Sequence, residues 1–188
     1  MANDTHHAPR LGFALVLQAI VAFAGAVVIT FSPDHSPFVG LIVLAVVAFL
    51  LAGGQLMTAV SLAAWPRART ALGIQAVSSI AVAGIAAAFV GGDRTTLTLC
   101  VSIWAAVVAV TSGLAGWSIT DRSVSRDFLV LAGLAGLLAI VEAALPLSDV
   151  YAVGFLGAYL AVFGVFSTIA GVSMSSLARR PTRTEEKK

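Results

Sequence analysis

The stretch FVGLIVLAVVAFLLAGGQLMTAVSLAAWPR, residues 38–67, decides the fold class of this chain. Its apolar part, Phe38–Ala64, contains no charged side chain, and Trp65, Pro66 and Arg67 follow directly. About 20 predominantly apolar residues in an α-helix are enough to cross the hydrocarbon core of a bilayer. The stretch therefore predicts a membrane-spanning helix that ends at a polar interface.

Five other stretches have the same apolar character and alternate with short polar segments. They are Leu11–Phe31, Ala71–Val90, Thr96–Ile119, Phe128–Leu145 and Val150–Leu177. Hydrophobic residues make up 59% of the 188 residues and charged residues only 11%, whereas about a quarter of a soluble domain is charged. We therefore predict an all-α membrane protein, a six-transmembrane-helix bundle with little chain left over for a soluble catalytic domain.

The basic residues predict the orientation of these six spans. Of the 11 Lys and Arg residues, only Arg94 follows an odd-numbered span. The others precede the first span or follow an even-numbered one: Arg10, Arg67, Arg69, Arg122, Arg126, Arg179, Arg180, Arg183, Lys187 and Lys188. Cytoplasmic loops carry the excess of basic residues in membrane proteins, so both termini are expected to be cytoplasmic. Because these charges are scattered over juxtamembrane segments, we expect contact with the lipid bilayer and not with nucleic acid.

The spans pair into three tandem helical hairpins, predicted over residues 11–64, 71–119 and 128–177, with cytoplasmic tails at 1–10 and 178–188. Each outward turn combines helix breakers with an aspartate: Ser32-Pro33-Asp34, Gly91-Gly92-Asp93 and Pro146-Leu147-Ser148-Asp149. Gly53, Gly113 and Gly164 lie at comparable positions in the even spans. A period near 60 residues predicts an internal repeat, as in some transporter folds, arranged around a pseudo-threefold axis normal to the membrane.

Four polar side chains within the spans are the candidate functional residues. Glu142 is an acidic residue well inside a span, and an ionisable group in a membrane helix is by default a functional candidate. Alternatively, it could reach the outer interface or accept hydrogen bonds from backbone freed by Pro146. Gln18, Gln55 and Gln75 could line a polar pocket, or they could simply hydrogen-bond across helices and hold the bundle together.

The remaining candidates favour structural roles. Trp65, Trp117 and Tyr151 lie at the ends of spans and are predicted to be interfacial anchors; Trp104, in the middle of a span, is predicted to be a packing residue. His6 and His7 lie in the N-terminal tail without a third metal ligand nearby. The sequence contains no metal-protease, phosphate-loop, nucleophile-elbow or Cys-x-x-Cys motif, so we expect no catalytic residues, no cofactor, no bound metal and no enzymatic activity.

The three-hairpin pattern resembles the HdeD-type acid-resistance membrane protein family, small bacterial proteins with six spans in three weak hairpin repeats. The resemblance covers residues 11–175 and rests on odd spans that end in a proline or glycine turn and on even spans with a central glycine, as in LLAGG, residues 50–54, and AVFGV, residues 161–165. It implies a multi-pass protein of the bacterial inner membrane with a role in acid or envelope-stress tolerance. That family has no established catalytic residues to carry over.

Two functional hypotheses follow from the sequence. The first is a non-enzymatic membrane protein that supports stress tolerance, or is an accessory subunit, through contacts with itself or with other membrane-protein subunits. The second is a small transporter or channel for protons or a small solute, in which Glu142 titrates and Gln18, Gln55 and Gln75 line a path. The second hypothesis requires that these four residues converge on one interior cavity.

Overall fold

The fold is known from a computed structural model and is described for residues 7–145 and 148–177. It is built from six α-helices: α1 His7–Phe31, α2 Pro37–Ser61, α3 Pro66–Ala88, α4 Arg94–Ser118, α5 Arg122–Ala144 and α6 Asp149–Leu177. All six are long and apolar enough to cross a membrane, which confirms the predicted six-helix membrane fold. The predicted C-terminal tail, most of the N-terminal tail and Pro146 lie outside the described residues.

Several helices begin before the apolar stretch that predicts them. α1 begins at His7, α3 at Pro66 and α5 at Arg122, whereas the apolar stretches begin at residues 11, 71 and 128. Proline suits the first turn of α3 because its missing N–H needs no partner there. Asp121 caps α5 by accepting hydrogen bonds from the backbone N–H groups of residues 123 and 124. At these ends the helices therefore extend beyond the apolar spans into the polar flank, and at α5 an N-terminal cap stabilises that extension.

The helices pack in a closed ring with a threefold order. The most extensive contacts join α1 with α6, α2 with α3, and α4 with α5. The contacts within hairpins, α1 with α2 and α3 with α4, are smaller, and α5 touches α6 least of all neighbours. The even helices also touch one another in the centre, whereas the odd helices, over the described residues, do not. Each hairpin therefore packs mainly against the next hairpin along the ring.

The ends of the helices give the repeat more sharply than the sequence does. Each pair of corresponding helices is related by a fixed shift in residue number. The shift from Pro37 to Arg94, the first residues of α2 and α4, equals the shift from Ser61 to Ser118, their last residues. A single shift likewise carries both ends of α3 onto those of α5. The shift between α1 and α3 is taken from their outer ends, Phe31 and Ala88. The shift between α4 and α6 is taken likewise from Arg94 and Asp149. All these shifts are slightly shorter than the period expected from the sequence. We call residues related by them counterparts.

Contacts between helices follow the same shifts. A Cβ atom on Gly171 of α6 would lie 2.8 Å from Val16 Cγ2 of α1, and a Cβ on Gly116 of α4 would lie 2.9 Å from Leu129 Cγ of α5. Val16 and Leu129 are counterparts, and so are the two glycines. The α1–α6 and α4–α5 interfaces therefore share one register, in which the absence of a glycine side chain lets the helices approach closely.

The glycines singled out from the sequence do not share a position. A Cβ on Gly53 would meet nothing within 4 Å, whereas one on Gly164 would lie 3.1 Å from the ring of Phe23. The counterpart of Gly164 in α4 is Ala109, not Gly113. Gly53, Gly113 and Gly164 are therefore not counterparts, because the first interval between them is longer and the second shorter than the shifts that relate the even helices.

Candidate functional site

The three glutamines of the spans converge inside the bundle. Gln18 of α1, Gln55 of α2 and Gln75 of α3 are all buried and line one cavity of about 20 Å³. The other lining residues are Leu15, Thr58, Leu72, Ser112, Phe128, Leu131 and Phe163. A volume of about 10–15 Å³ is the least that holds a single water molecule. The cavity is therefore the size of a water site and not of a solute pathway.

Gln18 is paired with its own hairpin partner helix. Its Nε2 donates to Thr58 Oγ1 over 3.0 Å and lies 3.4 Å from the carbonyl oxygen of Ala14. The Thr58 hydroxyl in turn donates to the carbonyl oxygen of Gly54 over 2.9 Å. Gly54 has to be glycine for this arrangement, since a Cβ there would overlap Gln18 Cγ. The pair joins α1 to α2 without leaving the amide nitrogen unsatisfied.

Gln75 makes the corresponding bond in the second hairpin. Thr111 Oγ1 of α4 lies 2.8 Å from Gln75 Oε1, and Ser112 Oγ lies 3.3 Å from the same oxygen. Gln75 is the counterpart of Gln18. A glutamine on the odd helix therefore bonds a hydroxyl on the even helix in each of the first two hairpins.

Gln55 belongs to a third chain of hydrogen bonds that crosses three helices. Trp104 Nε1 of α4 donates to Ser79 Oγ of α3 over 3.2 Å, and that hydroxyl donates to Gln55 Oε1 of α2 over 3.0 Å. Trp104 is almost fully buried and packs edge to face against Tyr159 with ring centroids 6.0 Å apart. Trp104 fills the core as predicted, but its hydrogen bond to Ser79 was not predicted from the sequence. The signal for it was the rule that a buried indole N–H finds an acceptor.

Glu142 does not join this cluster. It is two residues from the end of α5, with 3% of its surface exposed. Within the described residues neither carboxyl oxygen has a hydrogen-bond partner, and Glu142 is not among the residues that line the cavity of the glutamines. The convergence that the transport hypothesis requires thus holds for Gln18, Gln55 and Gln75 and does not include Glu142.

Among the described residues, the buried hydroxyl groups of two serines also lack a hydrogen-bond partner. The hydroxyl oxygens of Ser102 in α4 and Ser167 in α6 are buried without a partner. Ser167 is the counterpart of Ser112, which bonds Gln75. The counterpart of Gln75 itself is Leu131, a buried apolar residue beside the same cavity. The third hairpin therefore keeps the hydroxyl but lacks the glutamine that would bond it.

The predicted anchors lie at helix ends. Trp65 precedes α3 and donates from its Nε1 to Thr120 Oγ1 over 3.1 Å. Trp117 is the penultimate residue of α4, with 79% of its surface exposed, and Tyr151 is the third residue of α6, also exposed. Their role as interfacial anchors stays a prediction. Within residues 7–145 and 148–177, no three His, Cys, Asp or Glu side chains group as metal ligands.

Comparison with known proteins adds no assignment: no family model, curated protein or solved structure matches this chain. The function is therefore argued from the geometry of these residues.

Proposed function

We propose that this protein is a non-enzymatic integral membrane protein that acts through its membrane-facing surface, as an accessory subunit of a membrane assembly or by association with itself. Following the resemblance to HdeD-type proteins, we place that role in acid or envelope-stress tolerance at a bacterial inner membrane. The observation that carries the proposal is the internal pairing of the three glutamines.

The paired cluster supports a structural interior. A transport path or a catalytic site keeps polar groups free to meet a substrate, whereas here the glutamines bond Thr58, Ser79 and Thr111 across helices. Interhelical polar bonds of this kind contribute about 0.6 kcal/mol each on average. Several together favour one packing of the bundle. The cavity of about 20 Å³ leaves no room for a solute larger than water.

The low burial of α5 supports its exposed face as the proposed interface with another subunit. Only 28% of the residues in its most apolar 18-residue window are buried in the bundle, against 44–50% in the other five spans. The groove between α5 and α6 has a volume of about 190 Å³ and an apolar lining that includes Leu134, Leu138 and Phe155. A helix that its own bundle covers so little offers the largest apolar face for another transmembrane helix, which associates by close van der Waals packing.

Cysteine cross-linking in native membranes tests the location of this interface. Leu137→Cys places a thiol on the open face of α5, where 61% of the Leu137 surface is exposed. Ala81→Cys, at the exposed counterpart position of α3, is the matched control at the same depth. Both are made in a Cys100→Ala background, because Cys100 is the one cysteine of the chain. We expect adducts from Leu137→Cys alone, and mass spectrometry then identifies the adduct as a second copy or as another subunit.

Equal adducts at both positions, or none at either together with no stoichiometric partner after mild-detergent purification, would contradict the proposed interface. The stress role has its own test in the survival of a deletion strain at low pH and in detergent. Unchanged survival under both conditions would remove the stress-tolerance part of the proposal and leave the subunit part standing.

A further inference from the structure

Glu142 and Ser102 lie opposite each other in the α4–α5 interface, as the register of the two antiparallel helices shows. A Cβ on Gly113 would lie 3.8 Å from Ala132 Cβ, and a Cβ on Gly136 would lie 3.7 Å from Ala109 Cβ. Each step outward along α4 is matched by an equal step along α5. Continued from these contacts, the register brings residue 142 to the level of residues 102 and 103.

The repeat places the same two residues together independently. Ile29 of α1 and Gly157 of α6 are in contact, since a Cβ on Gly157 would lie 2.8 Å from Ile29 Cγ2. The counterpart of Ile29 in α5 is Glu142, and the counterpart of Gly157 in α4 is Ser102. An apolar contact of the α1–α6 interface is therefore replaced by a carboxyl group and a hydroxyl group in the α4–α5 interface.

Both polar groups are buried and lack a partner. The two carboxyl oxygens of Glu142 and the hydroxyl oxygen of Ser102 make no hydrogen bond within the described chain. A buried carboxylate without a counter-ion is far more costly than a buried neutral acid. A neutral carboxylic acid carries an O–H donor, and a serine hydroxyl can accept from it and donate in return. Protonation of Glu142 removes the buried charge and makes its carboxyl group a donor as well as an acceptor.

We propose that Glu142, supported by Ser102, is a membrane-embedded proton-binding site at the outer end of the α4–α5 interface. The carboxyl group binds the proton, and the Ser102 hydroxyl is the positioning partner that accepts the hydrogen bond. A metal cation is a poorer ligand here, because Ca²⁺ needs about 6–8 oxygen atoms and Mg²⁺ needs an octahedral set. This site is separate from the paired glutamines and independent of the proposed subunit role.

The charged and titratable groups around the site do not neutralise the carboxylate. On α4, the exposed Arg94 is nine residues beyond the level of Glu142, about 13 Å of helix rise, and Cys100 is a neutral buried thiol. On α6, Asp149 and Tyr151 are exposed at the outer end, and Tyr159 packs against Trp104. The ionisable residues of α5 itself other than Glu142 are at its opposite end, at positions 122, 126 and 127.

The site couples the proton to the packing of α5. This helix has the smallest buried share of the six spans, and its contact with α6 is the smallest between ring neighbours, so α4 is its main support. Loss of the proton places an unpaired negative charge in that interface. Deprotonation should therefore weaken the attachment of α5, and the folded protein should be more stable when Glu142 is protonated.

Labelling with dicyclohexylcarbodiimide tests the site directly: a protonated carboxylic acid in apolar surroundings adds across a C=N bond of the reagent, its oxygen bonding to carbon and its proton going to nitrogen, to give an O-acylisourea. The full-length protein in liposomes is labelled over about pH 5 to 9, and mass spectrometry of the peptide that contains residue 142 measures the yield. We expect labelling at Glu142 that falls about tenfold per pH unit above its titration midpoint. Exposed Asp93 and Asp149 are internal controls that stay unlabelled. No labelling of Glu142 at any pH, or equal labelling at every pH, overturns the proposal.

Two variants separate proton binding from simple packing. Glu142→Gln preserves the shape and removes the titration, so its Tm should be independent of pH, whereas the wild-type Tm should fall by at least about 3 °C from pH 5 to pH 9. Ser102→Ala should keep the labelling but shift its midpoint to lower pH, because the neutral acid loses its acceptor. If Glu142→Gln fails to fold, the Ser102→Ala shift decides alone. An unshifted midpoint, or the same pH dependence in wild type and Glu142→Gln, refutes the site.

Discussion

The third hairpin differs from the first two at the same positions. In the first two hairpins, Gln18 and Gln75 bond hydroxyl groups on the neighbouring even helix. In the third, the counterpart is Leu131, and the hydroxyl of Ser167 has no partner. The even helix differs too, because the counterparts of Thr58 and Thr111 in α6 are Ala170 and Phe166.

In the outer halves of the odd helices, the third hairpin has a polar residue where the first two have apolar residues. Ile29 and Ala86 are buried apolar residues in α1 and α3, and their counterpart in α5 is the buried Glu142. Compared with the first two hairpins, the third therefore has Leu131 in place of a paired glutamine and the unpaired ionisable Glu142 in place of an apolar residue. It is also the hairpin whose two helices touch each other least. The third hairpin is held in the bundle mainly by its contacts with the first two, through the α1–α6 and α4–α5 interfaces.

The largest effect is expected from filling the space that the Gln18–Thr58 pair needs. Gly54→Ala places a methyl group on Gln18 Cγ and should lower the free energy of unfolding by about 1–3 kcal/mol, as overpacking does. Its neighbour provides the control: Gly53→Ala meets nothing within 4 Å and should be neutral or stabilising by up to about 1 kcal/mol. Unfolding in detergent measures both. Equal effects would show that the pair does not depend on close approach of α1 and α2.

Substitutions that exchange residues between the second and third hairpins test whether the polar pairs follow the repeat. Gln75→Leu copies the third hairpin into the second and should cost about 0.6–1.7 kcal/mol, the range for interhelical polar bonds. Leu131→Gln does the reverse and places an amide beside the unsatisfied Ser167, so its net effect should be within about 0.6 kcal/mol. Leu44→Gln, at a buried position in the apolar core, lacks such a partner and should cost about 1–3 kcal/mol. If Leu131→Gln and Leu44→Gln are equally destabilising, the repeat does not extend to the polar pairs.

The smallest effect concerns the turn of the second hairpin. Asp93 caps α4: hydrogen bonds from the Thr96 backbone N–H and hydroxyl, each 2.9 Å, hold the pKa of its carboxyl below the ordinary value of 3.8. A lowered pKa adds stability above the unfolded pKa, and this stability is lost as the pH falls through the folded pKa. Asp93→Ala should therefore lower Tm slightly at neutral pH, and the difference from wild type should shrink in acid. A Tm difference that is the same at both pH values would contradict the capping role.

Much of the architecture could be read from local pattern. Apolar length predicts six spans, and the alternation of Arg residues predicts their orientation, because both depend on the bilayer and not on which helices are neighbours. Apolar length does not give the helix ends, as at Pro66 and Arg122, since helices continue into their polar flanks where proline or a capping Asp121 suits the first turn. Gln18, Gln55 and Gln75 were recognisable as interior polar groups. Their partners Thr58, Ser79 and Thr111 were not, because serine and threonine hydroxyls often bond the backbone of their own helix and give no distinct signal.

The order of residues is enough to identify a six-helix membrane protein with candidate polar groups at residues 18, 55, 75 and 142. Which of these groups meet depends on how the helices pack. The depth of a residue follows from its position along a helix, but its neighbour depends on how each helix is rotated and shifted against the next, and small residues such as Gly116 and Gly171 set that register through close approach. For this reason the three glutamines share one cavity, while Glu142 lies apart from them, level with Ser102.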